Sequence, residues 1–230
     1  NRYINVGIIL NFSVIKEVIM KNIISFIVLI CSVAVILTSC SKDEESTTAA
    51  TTSKTTTTPS GSITMGSYTA SGVYLSSCFY GSSVSTLVSA GSFPSDAKSF
   101  GFAFVVTGDD SFTEETHVFT DTGCTTSSYI GKAVRDNVTV GTASGSNYPV
   151  TYNDAGIRWT VNTTAAETYL EALLSSSNID MTLGTEKVMA SSTRTFYYNL
   201  LTPSATTIYL ATESTDSTPS TAGAIVYTKE

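Results

Sequence analysis

The residues suited to acid–base or metal chemistry lie close together within positions 109–121. That stretch holds the chain's one histidine, His117, and five carboxylates: Asp109, Asp110, Glu114, Glu115 and Asp121. Two carboxyl groups whose environments separate their pKa values would suit glycoside hydrolysis, and carboxylate oxygens are ligands that calcium prefers. The spacing matches no calcium-binding loop, and hairpin turns often carry Asp. We therefore expect a solvated turn here in preference to a metal site or a catalytic pair.

His117 lacks the sequence context of a catalytic residue. A catalytic histidine needs a nucleophile within reach and an acid that orients the ring, and the chain contains no Gly-x-Ser-x-Gly elbow. The polar neighbours Glu115 and Thr116 favour an exposed position for the imidazole. One histidine and no Cys-x-x-Cys spacing disfavour a metal centre. We expect no catalytic residue, metal or cofactor, and a hydrolase is the least favoured alternative.

Cys40 has the most specific sequence context. Met20-Lys21-Asn22 is followed by an apolar run from Ile23 to Leu37 and then by Leu37-Thr38-Ser39-Cys40. This order resembles a bacterial lipoprotein signal peptide that ends in a lipobox. The resemblance implies cleavage before Cys40 and a lipid on its sulfur that anchors the protein to a membrane, each buried methylene contributing about 0.8 kcal/mol. The alternative is an uncleaved membrane anchor. The run of about 15 residues disfavours it, because a membrane-spanning helix needs roughly 20.

Residues 1–39 are then excluded from the mature protein. We interpret Asn1 to Ile19 as an extension upstream of a start at Met20, or as a long first region of the signal peptide. The acidic segment Ser41 to Glu45 resembles the export signal of surface lipoproteins in Bacteroidetes, which implies the outer membrane of a Gram-negative cell envelope, on its periplasmic or surface side. The Thr- and Ser-rich tract from Ser46 to Ser62 has little to bury, so we expect a disordered, flexible tether.

The mature chain is acidic. From Cys40 onward it carries nine basic and eighteen acidic residues, a net charge of −9. No basic patch is left to bind phosphates, so the composition argues against nucleic-acid binding. A negative surface also repels anionic headgroups, which leaves the lipid as the attachment to the membrane.

Two cysteines remain once the leader and the lipidated residue are set aside. Cys31 lies in the leader, which leaves Cys78 and Cys124. An even number of cysteines in an exported protein is typical of disulfide pairing, because the compartment is oxidising. We predict that they form a disulfide, which closes a loop of about 46 residues and contributes ~4 kcal/mol to stability by chain entropy. Two buried free thiols are the alternative.

Residues 63–230 have the size and composition of one β-rich domain. The clearest strand is Ser99 to Val106, because Phe100, Phe102 and Phe104 share one face while smaller residues share the other. Phe112 to Thr120 forms a hairpin with it. The remaining predicted strands are Ser67 to Leu75, Ser85 to Ala90, Tyr129 to Arg135, Asn137 to Thr142, Val150 to Tyr152, Ile157 to Val161, Met181 to Leu183, Lys187 to Ala190, Arg194 to Leu201, Thr206 to Ala211 and Gly223 to Thr228.

Two local signals interrupt these strands. The tetrapeptide Asn153-Asp154-Ala155-Gly156 predicts a tight turn. Thr164 to Ser175 carries apolar residues at the spacing of one helix face, and Thr164 with Glu167 resembles a capping box. That segment predicts one helix of about three turns.

These elements predict an all-β fold, either an antiparallel β-barrel or a β-sandwich of about 8–10 strands with one short helix. Gly66-Ser67-Tyr68, the two spaced cysteines and the terminal aromatic hairpins resemble lipocalin-like proteins, the triplet standing where that family has Gly-x-Trp. The resemblance implies a barrel that holds a small apolar ligand. The aromatic residues that would line its pocket are Phe100, Phe102, Phe104, Trp159, Phe196 and Tyr198.

Three functions stay open. The first is a membrane-anchored, non-enzymatic lipoprotein that binds a small apolar ligand inside the barrel. The second is a structural or interaction lipoprotein in which those aromatic residues fill a solid core and the surface contacts a protein or glycan. The third is the hydrolase. An enclosed apolar cavity of about 300 Å³ or more favours the first, and a filled interior with exposed tyrosines favours the second.

Overall fold

The computed structural model describes residues 55–189 and 194–230, which form an antiparallel β domain with two α-helices. The strands are β1 (Ile63–Met65), β2 (Tyr68–Ala70), β3 (Val73–Leu75), β4 (Phe79–Tyr80), β5 (Ser99–Gly108), β6 (Ser111–Phe119), β7 (Ser127–Val140), β8 (Tyr148–Val161), β9 (Glu186–Met189), β10 (Phe196–Pro203), β11 (Thr207–Leu210) and β12 (Val226–Lys229). The helices are α1 (Ser82–Ser89) and α2 (Thr164–Leu173), and a 3₁₀-helix follows at Ser175–Ser177. No helix within these residues is both long and apolar enough to cross a membrane.

Eight strands close into an up-and-down barrel. They follow chain order as β3, β5, β6, β7, β8, β10, β11 and β12, each antiparallel to the next, and β12 pairs back with β3. Strands β4 and β9 extend the sheet beside β5 and β8, while β1 and β2 form a separate hairpin. The predicted all-β fold is confirmed as a closed barrel consistent with a lipocalin-like fold, and the sandwich alternative is wrong.

Side-chain alternation along β5 separates the barrel interior from its outer face. Phe100, Phe102 and Phe104 are buried in the main core, whereas Ala103 and Val105 pack in a second cluster on the outside of the strand. Successive residues of a strand point to opposite faces. The division into large and small faces that the sequence predicted is therefore confirmed.

Strands β7 and β8 are longer than predicted. Each is one continuous strand where the sequence indicated two, and the turn predicted in the middle of β8 is wrong. Val134 and Arg135 of β7 pair with Gly156 and Asp154 of β8, so Ala155 is an extra residue in a β-bulge. The glycine takes a φ of 124°. Turn-forming residues supply the backbone freedom that a bulge also requires, so the same signal fits both structures.

Helix α1 replaces the strand predicted from Ser85 to Ala90. Val84 and Leu87 are buried three positions apart, with Val88 packed against the same core. That spacing places them on one helix face, so the domain has two helices where one was predicted. The segment Met181 to Leu183 was also predicted as a strand and lies outside the strands.

Helix α2 confirms the predicted helix and buries its apolar face in the barrel core. Its N-cap is Thr163, whose side chain accepts a hydrogen bond from the backbone N–H of Ala166 at 3.2 Å. The cap therefore lies one residue before the predicted capping box at Thr164. The Tyr169 hydroxyl donates to the Ser92 carbonyl at 2.6 Å, which ties α2 to the segment that follows α1.

Residues 55–62 run along the outside of the barrel. The Ser60 backbone N–H donates to the Val106 carbonyl at 2.9 Å, its hydroxyl donates to the Thr107 carbonyl at 2.6 Å, and the Ser62 N–H donates to Asp109 at 3.0 Å. The predicted flexible tether is therefore wrong for this part of the Ser46 to Ser62 tract, because the short polar side chains find partners on the barrel. The rest of the tract, Cys40 and the leader lie outside the described residues.

Cys78 and Cys124 form the predicted disulfide, with their Cα atoms 6.0 Å apart. The bond joins the segment between β3 and β4 to the loop that follows β6. It closes a loop across 46 positions of sequence. The alternative of two free thiols is wrong.

Replacing both cysteines by alanine should lower the free energy of unfolding by ~4 kcal/mol, because the unfolded chain regains the entropy of a 46-residue loop. Urea denaturation of the soluble domain measures the change. Reductant should lower the midpoint of the wild type and leave the double variant unchanged. A wild-type midpoint that is the same with and without reductant would contradict the prediction.

Candidate functional site

Two rows of inward side chains cross four neighbouring strands in the middle of the barrel. The strand register aligns Phe102, Thr116, Gly131 and Trp159 across β5, β6, β7 and β8. The next inward row along the same strands is Phe104, Glu114, Ala133 and Ile157. Strand β7 contributes only a glycine and an alanine to these rows, so the interior is underfilled beside it.

Gly131 and Trp159 fit together as a cross-strand pair. A Cβ atom on Gly131 would lie 2.5 Å from Cζ3 of Trp159, so the indole rests directly on the glycine backbone. Any larger residue at position 131 would push the indole toward the space beside it. The glycine therefore fixes where the tryptophan packs and helps to keep the neighbouring volume open.

That volume is a cavity of about 120 Å³. Its apolar wall includes Phe102, Ala133, Ile157, Trp159, Leu210 and Ile225. The segment between β11 and β12 supplies part of the wall, and Glu114, Arg135 and Glu213 form its polar side. The volume is well below the ~300 Å³ of drug-sized sites, but it is similar to the ~150 Å³ of an engineered cavity that binds benzene. The interior is therefore neither solid nor as roomy as a carrier of large ligands requires.

Arg135 lies in the next inward position of β7, and its side chain is only 2 % exposed. Nη1 is 2.9 Å from Asp154 Oδ1, and Nη2 is 3.0 Å from Glu213 Oε1. The β8 bulge presents Asp154 to the guanidinium, and Asp154 also accepts the Gly156 N–H at 3.1 Å. Burial disfavours the cation, but Glu213 and Glu114 outweigh it and raise the pKa of Arg135. The guanidinium therefore stays charged inside the barrel.

Tyrosines and an asparagine complete the network around Arg135. The Tyr152 hydroxyl donates to Glu213 Oε1 at 2.6 Å and accepts from Asn199 Nδ2 at 3.0 Å. The guanidinium carbon lies 5.7 Å from the ring centroid of Tyr152 and 5.1 Å from that of Tyr197. Cation–π contacts of this kind are worth more when both groups are desolvated.

Glu114 is the least satisfied member of this cluster. Its Oε1 is 3.8 Å from Arg135 Nε, and neither atom has a hydrogen-bond partner. The side chain retains 26 % of its accessible surface although it points into the barrel, because it borders the cavity. Burial and the nearby Glu213 carboxylate raise the pKa of Glu114 to about 8. At neutral pH this carboxyl group is therefore mostly protonated.

The neighbouring Glu115 and His117 point to the outer face of β6, where both are buried. His117 is 2 % exposed, so the prediction of a surface histidine is wrong. Its Nε2 lies 2.6 Å from Glu115 Oε2, and the Thr57 hydroxyl donates to the other oxygen of Glu115. Burial raises the pKa of Glu115, but the contacts with His117 and Thr57 outweigh it and lower that pKa. The hydroxyl contacts the carboxylate and not the imidazole, so the three groups are not ordered as a nucleophile, base and acid.

The five carboxylates of residues 109–121 separate in the fold. Asp109 and Asp110 are exposed at the β5–β6 turn, as predicted. Asp121 accepts backbone N–H groups within the loop after β6, among them that of Gly123 at 2.8 Å. The solvated-turn prediction is wrong for Glu114 and Glu115, because strand alternation buries them on opposite faces of β6. Within residues 55–189 and 194–230, no three His, Cys, Asp or Glu residues gather as a metal site would require.

The structure divides the six aromatic residues predicted to line a pocket. Phe102 and Trp159 line the cavity, and Phe100 and Phe104 are buried in the core beside it. The expectation that Phe196 and Tyr198 face inward is wrong, since Phe196 is 46 % exposed and Tyr198 lies on the same outer face of β10. The pairing of Tyr197 with the inward Tyr152 sets the facing of β10. The inward positions of β10 are therefore Tyr197, Asn199 and Leu201, one residue away from those predicted.

The charged side of the cavity was missed by the sequence analysis. Counting inward positions along β7 from Tyr129 reaches Gly131, Ala133 and then Arg135, so the alternation itself placed a guanidinium in the barrel. Asp154 was assigned to a turn. Glu213 lies outside the strands, and the sequence carries no periodic signal for it.

Comparisons with known proteins assign no role to these residues. No family model matches the chain, and no curated protein matches it. No catalytic or binding residue can be carried over from a relative.

The Glu114 carboxyl should make stability depend on pH between about 5 and 8. Its pKa is about 8 in the folded protein and near the ordinary 4.5 when unfolded, so the folded state holds one more proton in this window. The free energy of unfolding should therefore fall as pH rises from 5 to 8, and Glu114→Gln should flatten that dependence. Urea denaturation at a series of pH values measures both slopes.

Glu115→Gln is the matched control for this prediction. Glu115 has a lowered pKa, so its contribution to stability is lost only as pH falls below the ordinary value of 4.5. The slope between pH 5 and 8 should survive in this variant. Equal slopes in wild type and Glu114→Gln would show that Glu114 is not protonated in the folded barrel.

Proposed function

We propose that the domain is a non-enzymatic binding module that holds a small, largely apolar ligand inside the barrel. The observation that carries the proposal is the cavity of about 120 Å³ between Trp159, Phe102 and the short side chains of β7. A packed interior leaves few voids larger than a water molecule, because each void forfeits dispersion contacts. A void of this size beside a glycine and an alanine therefore fits a bound molecule better than it fits a solid core.

The cavity volume of about 120 Å³ limits the ligand to about five or six non-hydrogen atoms, by comparison with the ~150 Å³ site that accepts benzene. Binding of so few atoms is weak, with a dissociation constant of about 1 mM for roughly 0.7 kcal/mol per atom. The segment from Ala211 to Ile225, which joins β11 to β12, forms part of the wall.

Benzene is the probe for this proposal, and Trp159 is the reporter because it is the only tryptophan in the chain and lines the cavity. Millimolar benzene should change the tryptophan emission in a saturable way and raise the melting temperature. Ala133→Leu places three more carbon atoms in the cavity, so it should abolish the benzene response while the barrel still folds.

Val134→Leu is the matched control, because Val134 is on the same strand and faces outward. That variant should respond to benzene like the wild type. A wild-type domain that shows no saturable response, or an Ala133→Leu variant that responds equally well, would refute a ligand site in the cavity.

We further propose that the protein is a cell-envelope lipoprotein held at a Gram-negative outer membrane by lipid on Cys40. The support is the order of charged start, apolar run, small residues and cysteine in residues 20–40. Because residues 55–62 are bound to the barrel, only residues 41–54 separate the domain from the anchor. Fourteen residues reach no further than about 50 Å, so the barrel stays near the membrane surface.

Cys40→Ala should release the protein from the membrane fraction or leave it in the wrong compartment, since the variant cannot be acylated at that sulfur. Fractionation and intact-mass measurement of the native protein test this directly. Cys31→Ala is the control and should leave the distribution unchanged. Membrane retention of Cys40→Ala with an unprocessed amino terminus would contradict the lipid anchor.

A second candidate is an interaction lipoprotein that contacts a protein or glycan through its surface. The observation in its favour is the outward aromatic pair on β10, where the rings of Phe196 and Tyr198 lie 5.2 Å apart with Phe196 46 % exposed. Aromatic side chains at the surface are enriched in binding interfaces. This role does not require the cavity, so failure of benzene to bind would leave it as the favoured function.

A further inference from the structure

The polar side of the cavity holds more negative than positive groups. Arg135 is flanked by Asp154 at 2.9 Å and Glu213 at 3.0 Å, which together already exceed its charge. Glu114 is a third carboxyl group, 3.8 Å from Arg135 Nε and without a hydrogen bond on its Oε1. A buried carboxylate is costly unless it is paired with a cation. Asp154 and Glu213 against Arg135 therefore leave one excess negative charge while Glu114 is protonated, and two if Glu114 ionises.

The space next to Glu114 is lined by aromatic rings. Phe102, Trp159 and Tyr227 border the same cavity as Glu114. The face of an aromatic ring attracts a cation, tryptophan most strongly. An anionic ligand would meet Glu114 and Glu213, and a ligand without polar groups would leave Glu114 Oε1 without a hydrogen bond.

We propose that the cavity binds a small primary amine, with its ammonium group on Glu114 and its hydrocarbon body against Trp159 and Phe102. This inference rests on the proposed function of the cavity and specifies the class of ligand. The hydrocarbon body is limited to about five carbon atoms by the cavity volume. The ammonium adds a second cation beside three carboxyl groups that otherwise share Arg135.

Binding of an amine transfers one proton to solvent. An alkyl ammonium has a pKa near the ~10.4 of lysine, so it arrives protonated at pH 7. Glu114 is mostly protonated before binding, with a pKa of about 8. The ammonium stabilises the carboxylate, Glu114 loses its proton, and an ammonium–carboxylate pair forms while one proton leaves. At pH 9 Glu114 is already ionised, and binding releases no proton.

Other titratable groups face Glu114 from the surrounding elements. They are Arg135 on β7, Tyr152 and Asp154 on β8, Tyr197 on β10 and Glu213 after β11. The pKa values of Arg135 and Tyr152 are raised away from neutrality, and burial raises that of Tyr197 to about 12. The released proton is therefore assigned to Glu114, whose pKa is raised by burial and by the neighbouring Glu213 carboxylate.

Three compounds with the same ring separate charge from shape: cyclopentylamine, cyclopentanol and cyclopentanecarboxylate. Titration calorimetry with the wild-type domain at pH 7, in buffers of different ionisation enthalpy, gives affinity and proton release together. Cyclopentylamine should bind about 10-fold more tightly than cyclopentanol, as a charge-assisted hydrogen bond predicts. It should release close to one proton at pH 7 and none at pH 9, and the carboxylate should not bind.

Glu114→Gln should lose about 10-fold in amine affinity together with proton release, while its affinity for cyclopentanol changes by less than about 3-fold. Glu115→Gln, on the outer face of the same strand, should behave like the wild type. The melting temperature of each variant shows whether it folds. Proton release is measured on the wild-type domain, so that test does not depend on the folding of a variant.

The outcomes separate this inference from the proposed function. If benzene and cyclopentanol bind but cyclopentylamine binds no better than cyclopentanol, or binds without releasing a proton, the amine assignment is refuted and the cavity site stands. If none of the compounds binds and benzene leaves Trp159 emission unchanged, the binding function itself is refuted.

Discussion

Arg135 brings a positive charge into the barrel interior, and three separate parts of the chain supply the carboxyl groups around it: Glu114 from β6, Asp154 from the β8 bulge and Glu213 from the segment after β11. An unpaired buried charge costs several kcal/mol, so these segments are held in place by the requirement that the guanidinium be neutralised. Strands β8 and β10 pair beside this cluster. The Tyr152–Asn199 hydrogen bond crosses this strand pair and links it to Glu213.

The same network determines where the cavity lies. Strand β7 carries Gly131, Ala133 and Arg135 at successive inward positions. The two small residues leave the cavity open, and Arg135 forms part of its polar wall. Trp159 cannot fill it because the indole is already seated on the Gly131 backbone. The barrel thus has a small cavity with one polar side, where the resemblance implied a pocket lined by aromatic residues.

The sequence predicted those parts of the structure in which one periodic signal acts alone. Alternation along β5, the helix of α2 and the cysteine pairing were predictable because each depends on local spacing or on a count of residues. The β8 bulge was not, since Asn153 to Gly156 favour a turn unless tertiary pairing with β7 holds the strand together. Helix α1 is eight residues long and Ser-rich, so its two buried positions carried too little pattern to outweigh its β-branched valines. The candidate site required the strand registers, and Glu213 lies in a segment without any periodic pattern.

Adjacent residues on β6 show why residue type alone did not reveal the site. Glu114 and Glu115 are the same residue type and project from opposite faces of the strand. Inside the barrel, burial and a neighbouring carboxylate raise the pKa of Glu114 to about 8. Outside, a histidine and a threonine hydroxyl lower the pKa of Glu115. One strand thus carries a neutral acid and a charged carboxylate side by side, because solvation and partners, and not the carboxyl group itself, decide the charge. The inward face of β6 therefore sets the charge of the cavity wall, while Glu115 on the outward face binds Thr57.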